Sequence, residues 1–320
     1  MRFLLLLCAS LLLLTACQST SEKVIGVVPK GASHIFWLTV KAGAQKAAAE
    51  SGYTIEWNAP TLEVDASRQK DIVDSMITRR LAGIALAPVD RKALAGTVER
   101  GAAAGLPMAI FDSDVDTPNR LTYVATDNRA GGRLAARRLA EVLGAKGKVA
   151  VIGFMPGSAS TMEREEGFRD EIRANFPGMQ IVVETYGMAD RAKAMAVTEN
   201  ALTAHPDLAG IFADNESSSA GALQAIKSRQ AKNIKFVAFD ANEQFVEDLR
   251  VGWIDALILQ DPYQMGYESV KAITTKLNGG APPLRRDLPA TLITLANIDA
   301  KDISPMILPS VQRQITQGGH

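Results

Sequence analysis

Several kinds of residue and motif are scarce in this chain of 320 residues, and each scarcity excludes something. Cysteine occurs twice, at Cys8 and Cys17, so a disulfide framework is excluded. Histidine occurs three times, at His34, His205 and His320, too thinly for a clustered zinc site or a Cys–His nucleophile. No G-x-x-x-x-G-K-[ST] occurs, no G-x-G-x-x-G follows the first apolar run, and G-x-S-x-G is absent. Charge of either sign is not in excess: 35 basic and 35 acidic side chains cancel. A balanced charge gives no basic field to attract nucleic acid or an anionic membrane surface. Aromatic residues make up only 6% of the chain, which makes the adjacent pair Phe36 and Trp37 conspicuous.

What is present begins with an export signal. Met1-Arg2 is followed by an apolar stretch over 4–14, too short for the roughly 20 residues a membrane helix needs. Leu14-Thr15-Ala16-Cys17 resembles a bacterial lipobox, in which cleavage before the cysteine is coupled to lipid attachment on its sulfur. This implies a signal peptide over 1–16, a lipidated tether over 17–23 anchored through Cys17, and no other contact with the membrane. Cys8 falls in the discarded segment, leaving Cys17 as the only mature thiol. The expected location is the periplasm or the cell surface.

From Val24 onward, strand-like runs alternate with helical stretches. VIGVV (24–28), YTIEW (53–57), GIALA (83–87) and PMAIF (107–111) precede LTYVA (121–125). KVAVIGF (148–154), QIVVE (180–184), LAGIFA (208–213), IKFVAF (234–239) and DALIL (255–259) follow it. Helix-like segments lie between them, as at 38–51, 65–79 and 93–104. This rhythm predicts βαβ units and parallel sheets, and the continuous apolar runs predict strands covered on both faces. The fold class is therefore α/β, with two Rossmann-like lobes of about 100–130 residues each. No low-complexity linker separates them, so the chain is expected to cross between lobes near 126–128, 260–262 and 289–290. The expected partition is 24–126 plus 261–289, and 127–260 plus 290–310, with a tail at 311–320.

Open α/β sheets bind ligands beyond the carboxyl ends of their strands. Asp112 follows PMAIF, Asn215 closely follows GIFA, Asp240 follows KFVAF and Gln260 follows DALIL. Asp and Asn at such turns also serve as helix N-caps, whereas glutamine is a poor cap. Together the four suit a polar crevice, since Asp accepts hydrogen bonds while Asn and Gln both donate and accept, as hydroxyls require. A ring such as Phe36 or Trp37 can lie against the C–H face of a sugar, and helix-to-sheet packing is the alternative use for both.

These residues carry a resemblance. HIFWLTVKAGAQKAAAESGY (34–53), ATDNRAGGRLAARRLA (125–140), MEREEGF (162–168), LTAHPDLAGIFADNE (202–216), VAFDA (237–241) and LQDPYQMG (259–266) resemble the type I periplasmic sugar-binding proteins of ABC transporters, in order and spacing. The resemblance implies a hinged two-lobe trap that captures a monosaccharide or polyol for a membrane permease. It implies a monomer with no cofactor, no bound metal, no nucleic-acid partner and no enzymatic step. Ring-stacking aromatics are implied at Phe36, Trp37 and Phe239, carboxylates at Asp112 and Asp240, amides at Asn215 and Gln260, and an arginine at Arg164. Ser113, Ala189 and His34 depart from the ribose-binding members, which carry arginine, phenylalanine and asparagine there, and they reshape the pocket if they reach it. Lys30 and Arg191 are further candidates for the crevice, with plain surface charge as the alternative. A glycosidase-like pairing of Asp112 with Asp240 is conceivable chemically, but the resemblance is to binders throughout. The same lobes occur in repressors, whose DNA-binding helices would stand where this chain has an export signal. A sensory subunit signalling to a chemoreceptor or histidine kinase, and an autoinducer-type receptor, are the other uses of such a trap.

Overall fold

The computed structural model describes residues 23–32, 34–301 and 303. The expected export signal, Cys17 with most of the expected tether, and the tail at 311–320 lie outside the described residues. In chain order the first half runs β1 (Val24–Val28), α1 (Ile35–Glu50), β2 (Thr54–Trp57), α2 (Ala66–Thr78) and β3 (Gly83–Leu86). It continues with α3 (Ala95–Ala103), β4 (Met108–Phe111) and β5 (Thr122–Thr126). The second half runs α4 (Asn128–Leu143), β6 (Gly147–Gly153), α5 (Ala159–Asn175), β7 (Met179–Tyr186) and α6 (Arg191–Ala204). Then come β8 (Leu208–Ala213), α7 (Glu216–Ser228), β9 (Lys235–Phe239), α8 (Glu243–Arg250) and β10 (Ala256–Leu259). The chain closes with α9 (Pro262–Leu277), β11 (Arg285–Leu288) and β12 (Thr291–Ile293).

The strands form two sheets with the same plan. The first has the order β11-β5-β4-β3-β1-β2 and the second β12-β10-β9-β8-β6-β7. All pairings are parallel except β10 with β12. Each sheet is sandwiched between two helix layers, which is why its central strands are apolar throughout. Residues of β3 and β4 are all buried, as are those of β10. One face of the first sheet packs Trp37, Val40, Phe111 and Met265, and the other packs Ile72, Met76, Ile110 and Tyr123. In the second sheet Phe168 stacks on Phe212 at a 4.8 Å centroid separation beneath α4 and α5.

The chain passes between the sheets three times: from β5 into α4, from β10 into α9, and from β11 to β12. Strands β11 and β12 are absent from the expectation made on the apolar runs. Arg285, Arg286 and Asp287 are exposed at a sheet edge, so this segment has no apolar signature.

Glycines set the closest helix approaches. A Cβ on Gly43 would run into the Tyr263 carbonyl, and one on Gly266 into the Val40 carbonyl, so α1 and α9 touch backbone to backbone. Gly132 and Gly167 do the same for α4 and α5. Gly266→Ala is expected to destabilise the protein by about 1–3 kcal/mol despite the better helix propensity of alanine. Gly96→Ala, whose Cβ would meet only the end of Arg100, is expected to be neutral or stabilising. Denaturant unfolding of both variants measures this contrast.

The second lobe also buries two carboxyl groups against each other. Asp214 is fully buried, and among the described residues no other side chain donates to its carboxylate oxygens or to Glu165 Oε1. Burial, with Glu165 beside it, pushes the Asp214 carboxyl well above its ordinary range, and burial also raises that of Glu165, against the hydrogen bond from Asp214 and the charge of Arg169. The folded protein therefore holds a proton that the unfolded chain releases. Stability from this pair is present at acid pH and is lost as pH rises through the raised values. In Asp214→Asn an amide N–H replaces that proton, so the thermal midpoint of the variant should gain on the wild type from pH 5 to pH 9. A difference between the two midpoints that does not change with pH would contradict the shared proton.

Candidate functional site

The carboxyl ends of both sheets face each other across a cleft, and the lobes meet there. Arg91 donates its backbone N–H to the Gly157 carbonyl at 2.9 Å. Gly157 has φ +93°, and a Cβ there would collide with Asp90, so the closed lips need a glycine. Between the lobes lies a cavity of about 550 Å³. That is within the ~300–1,000 Å³ usual for small-molecule sites.

Asp112 and Asp240 occupy equivalent places. Each follows the fourth strand of its sheet, β4 or β9, and each has a left-handed backbone, with φ +61° and +68°. Non-glycine residues seldom sit there, and such positions concentrate at functional sites. Lys30 comes from the turn after β1 and pairs with Asp112 Oδ2 at 2.8 Å, with both side chains almost fully buried. Its ammonium also donates to Ser113 Oγ at 2.6 Å, and across the cleft to Ser158 and Ser160 at 3.2 and 3.3 Å. Ser113 and Ser160 themselves share a 2.7 Å hydrogen bond between the lobes. Ser113 thus backs Lys30 and does not line the cavity. Lys30 thus places a cation beside Ser113, where the resemblance implies an arginine in the ribose-binding members.

Arg164 is a buried cation of the site, 2% exposed. From α5 it donates Nε–H to Asn128 Oδ1 at 2.9 Å, Nη1–H to the Asp214 carbonyl at 2.8 Å and Nη2–H to Gln260 Oε1 at 2.7 Å. Three of its five N–H groups are committed, and the residue lines the cavity with two further donors. Gln260 also accepts from Thr126 Oγ1 at 2.9 Å and donates to Asp240 Oδ1 at 2.7 Å. Burial raises the Asp240 carboxyl above its ordinary value, against the pull of Arg164 and the Gln260 amide.

Phe239, implied as a ring-stacking residue, is not among the residues lining the cavity. It is fully buried, and the Arg164 guanidinium covers its ring at 3.9 Å from the centroid. The ring is therefore a platform for the arginine and is absent from the cavity wall. Trp37 lines the cavity but is 4% exposed, edge-on to Phe36 at 4.8 Å and to Phe111 at 6.5 Å. Its indole N–H donates to Glu63 Oε1 at 2.8 Å. Phe36 is half-buried and is the freer ring of the pair. Asn215 serves both uses that its position allows. It caps α7, accepting from Ser218 N, and it lines the cavity.

His34 caps α1, its Nδ1 accepting from Phe36 N at 3.2 Å, while Nε2 faces Glu216 Oε2 at 2.8 Å. Both ring nitrogens are thereby occupied. Arg191 lines the opening with a largely exposed side chain and pairs with Glu216, and Ala189 lies on the cavity wall with φ +56°. Phe154 shares an apolar cluster with Ala189, so the second lobe still presents a ring.

The structure adds residues that sequence reasoning missed: Glu63, Phe154, Ser160, Thr161 and Glu216. Phe154 ends the run KVAVIGF and Glu216 adjoins Asn215, so strand-end reasoning could have reached both. Glu63 comes from a loop after β2 with no pattern around it. Burial raises its carboxyl above the ordinary value, opposed by His34, the Trp37 N–H and Lys30. Among the described residues no group of His, Cys, Asp and Glu has the arrangement of a metal site, and no helix is long and apolar enough to cross a membrane.

Comparison with known proteins agrees with this architecture. The chain is 30% identical to the ribose import binding protein RbsB of Bacillus subtilis over 287 residues, 86% of this chain and 92% of that one. The solute-binding protein of a carbohydrate transporter from Agrobacterium radiobacter, solved with D-arabinose, superposes with a TM-score of 0.87 at 30% identity, covering 90% of this chain and all of that one. An ABC transporter solute-binding protein from Agrobacterium vitis with bound D-fucose gives a TM-score of 0.86 at 31% identity, covering 89% and 99%. These relatives bind and transport, and are not enzymes. The family model for the periplasmic binding protein domain matches residues 25–281, and the chain belongs to that family.

Proposed function

We propose that this chain is the exported solute-binding subunit of an ABC importer and captures a monosaccharide or related polyol by closure of its two lobes. The observation that carries this reading is the cavity itself, whose polar wall is divided between the lobes. Asp112, Lys30 and Glu63 come from one side, and Arg164, Asn215 and Asp240 from the other, with Gln260 at the crossing between them. A sugar presents a ring of hydroxyls that each donate and accept, and this set offers carboxylates, amides and two free guanidinium N–H groups to match them. Phe36 supplies an apolar face for the ring carbons. A hydroxyl in the wrong place leaves a buried partner unpaired, which is the source of selectivity. The names and bound sugars of the relatives point to the same ligand class.

Closure is the signal. A ligand that touches both lobes favours the closed state by its extra contacts there, and the closed lips form the surface a permease reads. One chain supplies both halves of the cavity, which supports a monomer as the binding unit. Lipidation of Cys17 would hold it at the membrane, in the periplasm or at the cell surface.

A thermal-shift panel of pentoses, hexoses and polyols tests the ligand class. At least one should raise the unfolding midpoint, and a flat response across the panel would count against sugar capture. For a sugar that binds, Asp240→Ala should weaken affinity by about tenfold to a hundredfold, the value of one or two charge-assisted hydrogen bonds. Calorimetric titration reads this directly. The anchor has its own test. Cells fed labelled palmitate should mark the wild-type protein and not Cys17→Ser, and equal labelling of both would contradict lipid attachment at that cysteine.

A further inference from the structure

The geometry points to His34 and Glu216 as the latch of the trap: a charged pair that joins the lobes over the cavity and makes closure dependent on protonation. This rests on the closing motion proposed above but concerns neither the ligand's hydroxyls nor the residues implied to bind them. His34 belongs to the lobe of the first sheet, at the start of α1, and Glu216 to the other, at the start of α7. Their side chains meet at 2.8 Å and are 24% and 4% exposed.

Glu216 is built to receive a cation from across the cleft. Its Oε1 is held by Arg191 and by Asn242 Nδ2, and its backbone N–H donates to Asp240 Oδ2 at 3.0 Å. It stands in the first turn of α7, where the helix dipole favours a negative charge. Among the described residues its Oε2 has no partner other than His34. Burial opposes ionisation of Glu216, yet His34, Arg191 and Asn242 together hold its carboxyl below the ordinary value.

Every element around His34 bears on its charge. Glu63 from the loop after β2, Glu216 from α7 and Asp240 after β9 favour the imidazolium, while Lys30, Arg191 and Arg164 oppose it. Burial disfavours the charged ring, but the three carboxylates outweigh it and raise the pKa of His34 above the usual value near 6.5. In the neutral ring Nε2–H donates to Glu216 and bare Nδ1 caps α1. Protonation of Nδ1 gives up one hydrogen bond at the helix start and completes an ion pair between the lobes. Opening removes Glu216 and Asp240 from the ring, and with them Arg164, Arg191 and part of the burial, and leaves Glu63 and Lys30, whose opposite charges offset. What is lost in sum is the net pull that holds His34 above its ordinary value in the closed form. The closed form therefore holds the proton more tightly than the open one, closure takes up a proton, and affinity falls as pH rises through the midpoint of His34. Each pH unit between the closed and open midpoints is worth up to about tenfold in affinity.

Histidine NMR on the whole protein tests this, because only His34, His205 and His320 contribute signals and His34→Gln identifies the one concerned. The titration is run on the wild type and on Glu216→Gln, alone and with D-ribose, D-arabinose or D-fucose. The His34 midpoint should fall in Glu216→Gln in the protein alone or in a sugar-bound sample, with His205 and His320 unmoved. For any of the three sugars that binds, calorimetry at pH 6 and pH 8 should show affinity falling several-fold in the wild type and nearly level in Glu216→Gln. Equal His34 midpoints in the two proteins in every sample would overturn the latch. So would an affinity whose pH profile is the same with and without the Glu216 carboxylate. Absence of binding by all three sugars bears on the ligand reading, and the titration of the protein alone still decides the latch.

Discussion

A buried guanidinium organises this protein. Arg164 is 2% exposed, and a charge so enclosed costs several kcal/mol unless its donors are matched. The match comes from places that otherwise share little: Asn128 just past the first crossing, the backbone of Asp214 at the end of β8, and Gln260 at the second crossing. Phe239 completes the site from below as a face for the cation. The hydrogen bonds that hold the arginine therefore also hold two of the three chain crossings. Gln260 extends the network to Thr126 on one sheet and Asp240 on the other. A hinge tied so closely to the cavity means that changes in one are felt in the other.

The two lobes repeat one solution with different details. Strand order is the same, both carry an aspartate after the fourth strand with positive φ, and both seat a helix pair on facing glycines. The differences lie in charge. One lobe brings Lys30 against Asp112, and the other keeps Arg164 within reach of Asp240. His34, Glu63 and Glu216 form a third charged group nearer the entrance, where the lobes come together.

The first ten strands are legible in the sequence, most of them because parallel strands covered on both faces must be apolar end to end. Strand β11 is not, since an exposed edge strand needs no such run, and β12, only three residues long, is too short to show one. Asp112, Arg164, Asn215, Asp240 and Gln260 could be placed because strand ends and register fix where such residues fall. Phe239 shows the limit of register. It sits at the implied position, yet the arginine beside it occupies the cavity face. Trp37 shows another, since its added N–H turns an aromatic wall into a hydrogen-bond donor for Glu63. Glu63 itself was invisible because loop residues approach the cavity through tertiary folding, with no period to announce them.

The central claim is that a small polyhydroxylated ligand closes the two lobes upon each other. Electron–electron distance measurement between one spin label on each lobe, with and without a sugar that binds, tests this most directly. The account predicts a single shorter distance at saturation, with the longer one recovered on removing the sugar. An unchanged distance distribution in the presence of tightly bound sugar would contradict it.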